Sequence, residues 1–291
     1  MANQEERRRS HSILETLRVW GRFASFSSVR KRYGYETICT EVMAKRRILM
    51  RSLTAILVLF STNLWGQQTN EWINSLENPE FPRYNELKPE NKLSDYLELN
   101  FKNILNPKSN FLGYIGNDYR RIHVDFYSVT RSETTPNLYF VTGQTTVFKN
   151  TCDFEGIITI EQVREFKKMY FGVDNMYAND GIKAQGIAIG KYNFSENPEQ
   201  QHVGTFEGIM TLWWDIDKGG NIKYYDLNKH SDRYRNNQYI GTWKEYGKSN
   251  PKICNWGEHR IPFSGDLDWG AGEFSVNPKY YEKGWEEFDR N

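Results

Sequence analysis

Long apolar runs are nearly absent from this chain. The clearest, Leu53 to Phe60 (LTAILVLF), has eight residues, far short of the roughly 20 that a bilayer-spanning helix needs. No transmembrane helix is therefore expected in the mature chain. Histidine is scarce as well. The four after residue 66 (His123, His202, His230 and His259) show no His-Glu-x-x-His or comparable spacing, so no zinc site is expected. A Gly-x-Ser-x-Gly elbow is missing, and no partner Ser or Cys is recognisable, which removes the usual mark of a hydrolase nucleophile. Gly270 and Gly272 lack the strand–loop–helix setting and following lysine of a phosphate loop. No cofactor is expected.

What is present begins with an export signal. Lys45, Arg46, Arg47 and Arg51 precede the apolar run, and Ser61 to Gly66 follow it. A basic region, a short apolar core and a small residue before a polar start form the order of a signal peptide. Residues 50–66 are read as that signal, cut between Gly66 and Gln67, and no cysteine follows to take a lipid anchor. Residues 1–49 carry Arg7-Arg8-Arg9 and no sustained periodicity. They are read as a non-native or disordered extension, with translation starting at Met43 or Met50. The expected location is secreted, periplasmic or cell-envelope associated.

Removing the signal changes the charge balance. Residues 1–66 hold 12 of the 38 basic and 5 of the 37 acidic residues, so the remainder has a net charge of −6. An acidic chain without a basic stripe does not suit a phosphate backbone, and no nucleic-acid partner is expected. Cys39 precedes the cut, leaving Cys152 and Cys254. In an oxidising compartment that pair is expected to form a disulfide, with two buried free thiols as the alternative.

Residues 67–110 are turn-rich, with Pro79, Pro82, Pro89 and Pro107. Within them Leu93, Leu97, Phe101, Ile104 and Leu105 recur at steps of three and four. This predicts one amphipathic helix, with Ser94 as its N-cap. Beyond Phe111 the period becomes two: Ile122, Val124, Phe126 and Ser128 alternate with Arg121, His123, Asp125 and Tyr127. Further strands are predicted at 111–117, 138–149, 153–163, 182–194, 203–216, 221–227, 238–246 and 259–267. Pro278 after Asn277 predicts a short final helix. Many sequential strands with short connections predict an all-β fold over 111–291: an antiparallel barrel or barrel-like sandwich with a short N-terminal helical cover. Its expected core includes Phe126, Phe154, Ile158, Phe206, Met210, Leu212, Trp214 and Trp243.

An internal echo supports the curvature. DFEGIITI at 153–160 returns as TFEGIMTL at 205–212, and GTWKE at 241–245 partly repeats GTFEG at 204–208. An aromatic beside a glycine on a strand suits a bent sheet. Gly241-Thr242-Trp243 resembles the Gly-x-Trp element of calycin barrels, the lipocalin and avidin type. There it lies on the first strand, whereas here it lies near the end; the resemblance implies barrel-like packing. The stretch from Cys254-Asn255-Trp256-Gly257 to Gly270-Ala271-Gly272-Glu273-Phe274 is similar to exported bacterial proteins of unknown function.

Four constellations could carry chemistry. Asp215, Asp217, Asn221 and Asp226 fall at positions one, three, seven and twelve of a calcium-loop count. Position five is Gly219, and Gly219-Gly220 suits a metal-free hairpin turn, the favoured reading. Asp266, Asp268 and Glu273 could act as paired carboxylates, although a polar glycine-rich turn explains them more simply. Arg121, His123, Asp125 and Tyr127 share one strand face, which is polar on any half-exposed strand. Trp213 shares a face with Glu207, Thr211 and Asp215, away from the core face of Trp214. A tryptophan among acids and hydroxyls suits a sugar or small ligand, and a second packed layer is the alternative.

The favoured function is a non-catalytic exported binding module for a carbohydrate or small ligand, centred on Trp213, Glu207, Asp215, Arg121, His123, Asp125 and Tyr127. An exported hydrolase using paired carboxylates and a structural or adhesion component of the envelope stay open. N-terminal sequencing of the exported protein is expected to read from Gln67. A first residue upstream of Met43 would refute the internal start and favour the alternative, a real basic extension that stays cytoplasmic with Leu53–Phe60 as an imperfect anchor.

Overall fold

The computed structural model describes residues 66–77, 86–231 and 234–289. The export signal, its upstream extension and the alternative starts lie outside them, apart from Gly66. Ten strands form one antiparallel sheet: β1 (Phe111–Ile115), β2 (Arg120–Arg121), β3 (His123–Arg131), β4 (Leu138–Val147), β5 (Asn150–Glu165), β6 (Ala184–Glu196), β7 (Gly204–Ile216), β8 (Ile222–Tyr224), β9 (Asn236–Glu245) and β10 (Lys252–Glu258). The order is β2-β1-β10-β9-β7-β6-β5-β4-β3, with β8 a side branch on β7.

The two ends of this path meet. β2 and β3 are separated only by Ile122, whose amide donates to Gly113 at 3.1 Å, while His123 already pairs with Thr146. One extended passage thus pairs first with β1 and then with β4. Counting it once and setting β8 aside leaves eight passages around a curled, barrel-like sheet. Eight is about the number at which side chains just fill the bore, or leave room for one small ligand.

Alternation sorts the residues as predicted. Phe154, Ile158, Phe206, Met210, Leu212, Trp214 and Trp243 are buried in the interior cluster, and Phe126 packs against it. Glu155 and Glu207 are exposed. Rings of Tyr192, Tyr239 and Trp256 fill the middle of the bore, with Tyr239 stacked on Trp256 at 4.9 Å and Tyr192 against both at 5.3 and 5.1 Å. The echoed glycines make room for β6, Gly156 for its backbone and Phe194 and Gly208 for Tyr192 of the plug. A Cβ on Gly156 would sit 2.1 Å from the Asn193 carbonyl, and one on Gly208 would sit 2.8 Å from the Tyr192 ring.

Residues 93–105 close one end of the bore. They are not one helix. A 3₁₀ turn at Leu93–Tyr96 and an α-turn at Lys102–Leu105 (α2) are separate, because Asn100 accepts from the Lys102 amide and restarts the chain. Ser94 caps nothing; Asn91 accepts from the Leu93 amide instead. Phe101, Ile104 and Leu105 enter the interior cluster. Glu165 at the end of β5 ties this segment down, taking Lys88, Lys92 and the Tyr96 hydroxyl at 2.7–2.9 Å.

Two layers cover the outside. The first helix (α1, residues 66–77) lays Trp72 and Leu76 over Ile187, Ile209, Trp213 and Ile240. The C-terminal segment packs Trp285, Leu267 and Val276 on Tyr114. Pro278–Lys283 is the expected final turn, in 3₁₀ form, with Asn277 accepting from the Lys279 amide. The predicted strand at 259–267 is instead irregular, and Lys252–Glu258 supplies the last strand. The expected disulfide is absent: Cys152 and Cys254 are free and buried. They stand on β5 and β10 with β6, β7 and β9 between them, too far around the ring for the short Cα separation a bridge demands. Among the described residues no helix is long and apolar enough to cross a membrane.

Gly156→Val is expected to cost about 2–4 kcal/mol, since backbone rather than a flexible side chain meets the new atoms. The shift in urea midpoint measures it.

Candidate functional site

The hairpins opposite the closed end leave the bore open. The β1–β2 turn, the β4–β5 turn at Phe148-Lys149, the β6–β7 loop and the β9–β10 loop surround a cavity of about 780 Å³. Its apolar wall includes Ile115, Ile122, Val147 and Phe206, and Glu196 and Thr145 add polar groups. Arg120, Asp118, Lys149, Glu245 and Lys252 mark the rim, where Arg120 pairs with Asp118 at 2.8 Å.

Glu196 is the central group. It follows Ala188, Tyr192 and Phe194 along the inward face of β6 and is 4 % exposed. One carboxylate oxygen, Oε1, accepts from the Thr145 hydroxyl at 2.5 Å. The other, Oε2, accepts from the Gly204 amide and Trp243 Nε1, both at 2.8 Å. Burial pushes its pKa up, and the three donors pull against that. Lys252, paired in register with Trp243, places its ammonium 5.0 Å from the centre of a ring of that indole.

A second buried glutamate makes the contrast. Glu258, at the closed end, accepts from the Lys108 and Ser109 amides, the Ser109 and Tyr224 hydroxyls and Asn237 Nδ2, at 2.6–3.1 Å. Five donors occupy it and it does not line the cavity.

The residues singled out by sequence do not converge. Trp213 and Asp215 are on the outward face of β7 as predicted, but α1, Phe166 and Tyr225 cover the indole, which is 9 % exposed. Glu207, on the same face, is exposed. Arg121, His123, Asp125 and Tyr127 are outward on β2 and β3, with β4, β5 and β6 between them and β7. Arg121 is buried under the C-terminal segment, 4.3 Å over Trp285, whereas Tyr127 is 62 % exposed.

The calcium-count residues form the β7–β8 hairpin. The Asp217 carboxylate accepts from the Asn221 amide at 2.9 Å and pairs with Lys223, and Gly220 takes φ +85°. Among the described residues no group of three or more His, Cys, Asp or Glu is placed to hold a metal. Asp266 engages Lys279 and Tyr280, while Asp268 engages Arg260 and the amides of Gly270 and Ser275. Each carboxylate stitches the C-terminal segment.

Sequence reasoning missed Glu196 for a simple reason. The strand predicted at 182–194 stops two residues short, and the inward series Tyr192, Phe194 continues directly onto it. Comparison with protein-family models, with curated proteins and with solved structures finds no match.

Burial, reinforced by Asp226, pushes the Asp215 carboxyl up to about 7. Its folded pKa then exceeds the unfolded value of about 3.9. The folded state therefore holds the extra proton, and stability linked to this group declines as pH rises from about 4 to about 7. Asp215→Asn is expected to match the parent near pH 4 and to gain about 1–3 kcal/mol on it near pH 8. Urea unfolding at the two pH values measures the difference.

Proposed function

We propose that this chain is an exported, non-catalytic binding protein that takes a small, largely apolar ligand into the open mouth of its barrel. The observation that carries the reading is the 780 Å³ cavity at one end of a bore otherwise filled by aromatic rings. That volume lies within the range of small-ligand pockets, which pair apolar walls with a few placed polar groups. Here the wall is Ile115, Ile122, Val147 and Phe206, and the placed groups are Glu196 and Thr145. The carbohydrate reading rested on Trp213 as an open stacking surface, and that indole is covered by α1. Export is carried by the arrangement of residues 50–66.

The test is thermal shift of the purified protein against a panel of small apolar and amphiphilic compounds, with oligosaccharides alongside. A ligand at about 100 times its Kd adds about 2.7 kcal/mol to stability. Apolar or amphiphilic members are expected to raise the melting temperature. Val147→Trp, which fills the mouth from a partly exposed position, is expected to abolish the shift. No shift from any such compound, or equal shifts in the variant, would overturn the proposal.

A further inference from the structure

We infer that the mouth cavity takes an amphiphile bearing a single protonated amine, its ammonium on the Glu196 carboxylate and its apolar body along Ile115, Ile122, Val147 and Phe206. This inference rests on reading the mouth as a ligand site and names the ligand's chemistry.

Glu196 is a carboxylate 4 % exposed that lines an apolar cavity. A carboxylate offers about four acceptor positions. Three are taken, two on Oε2 and one on Oε1, all by uncharged donors. One position on Oε1 is left. No ion pair to Glu196 occurs among the described residues. Burying a carboxylate is costly unless it is hydrogen-bonded and paired. Glu258, also without an ion pair, is saturated by five uncharged donors from the protein itself. Glu196 is not, and it is the one of the two that lines a cavity.

Charge and shape agree on the sign of the missing partner. Trp243 donates to Glu196 through Nε1 and takes the Lys252 ammonium over its ring at 5.0 Å, so the π face of this wall accepts a cation, while Lys252 makes no ion pair with the carboxylate. Of the other rim charges, Arg120 is paired with Asp118, while Glu245 adds a negative charge and Lys149 a positive one. The net −6 of the chain after residue 66 draws cations toward the protein. An anionic head group, by contrast, would meet an uncompensated carboxylate at the floor.

Calorimetric titration of the purified protein with octylamine, octanol and octanoic acid at neutral pH separates the outcomes, because the three share one apolar body. Octylamine is expected to bind at least about tenfold more tightly than either of the others, the equivalent of 1.4 kcal/mol. Glu196→Gln, which keeps the shape and an oxygen for Trp243, is expected to bring octylamine to the level of octanol. Equal binding of the three probes, tighter octanoate, or a preference unchanged in Glu196→Gln would overturn the amine assignment and leave the mouth as a ligand site. Binding of none would overturn both. The comparison among the three probes stands on the parent protein alone, should the variant fail to fold.

Discussion

Glu196 reaches into the bore from β6 and accepts from Thr145 on β4, the Gly204 amide on β7 and Trp243 on β9. Those four strands span half of the ring. Main-chain ladders join each strand to its neighbours only. The carboxylate links β4, β6 and β9, which are not adjacent to one another, at the end where the hairpins diverge. It also fixes the Trp243 indole, and so the wall of the mouth. Charge-assisted hydrogen bonds of this kind are about twice as strong as neutral ones, and in a low-dielectric interior their loss leaves an expensive orphan. Glu258 does the same work at the far end, tying residues 108–109, β8 and β9 to the last residue of β10.

Between these two carboxylates the bore is apolar and aromatic. The plug of Tyr192, Tyr239 and Trp256 depends on small residues opposite it. Gly208 and Gly241 lie side by side on β7 and β9, and the Tyr192 ring lies over both. The repeated Phe-Glu-Gly pattern therefore has one cause in both strands: phenylalanine faces in, glutamate faces water, and glycine yields space to a ring from β6. Outside, two aromatic layers shield the outer face of the sheet, one under Trp72 and one under Trp285.

The alternation of period two is enough to read the fold class, most strands and most inward residues from Arg121 onward; on β3 a bulge between Phe126 and Ser128 shifts the register, so Ser128 is exposed and Val129 is buried in its place. Trp213 and Trp214 were sorted to the right faces. What alternation cannot convey is which outward face a distant segment will cover, and Trp72 lies 141 positions from Trp213 in the chain. The final strand was misplaced because Cys254, Asn255 and Trp256 are all buried, so polarity does not alternate there. The helix over 93–105 followed a real apolar spacing, yet local side-chain bonds from Asn91 and Asn100 divide it. The disulfide was inferred from compartment and parity, and neither carries information on where β5 and β10 stand in the ring. Glu196 was legible in principle, as an acid continuing an inward series.

The mouth is open because the side chains shrink toward it. Along β1 the inward residue changes from Phe111 to Ile115, along β4 from Tyr139 to Thr145 and Val147, and along β10 from Trp256 to Cys254. Eight passages enclose a bore that aromatic side chains can fill, and they do so from the closed end to the middle. Smaller residues in the last turns of the same ring leave volume that the four connecting loops do not refill. A space left by undersized apolar residues is costly to leave empty. A carboxylate short of one partner beside it is costly in a different way. One molecule with an apolar body and a donor at one end relieves both costs, which water alone could not do in the same place.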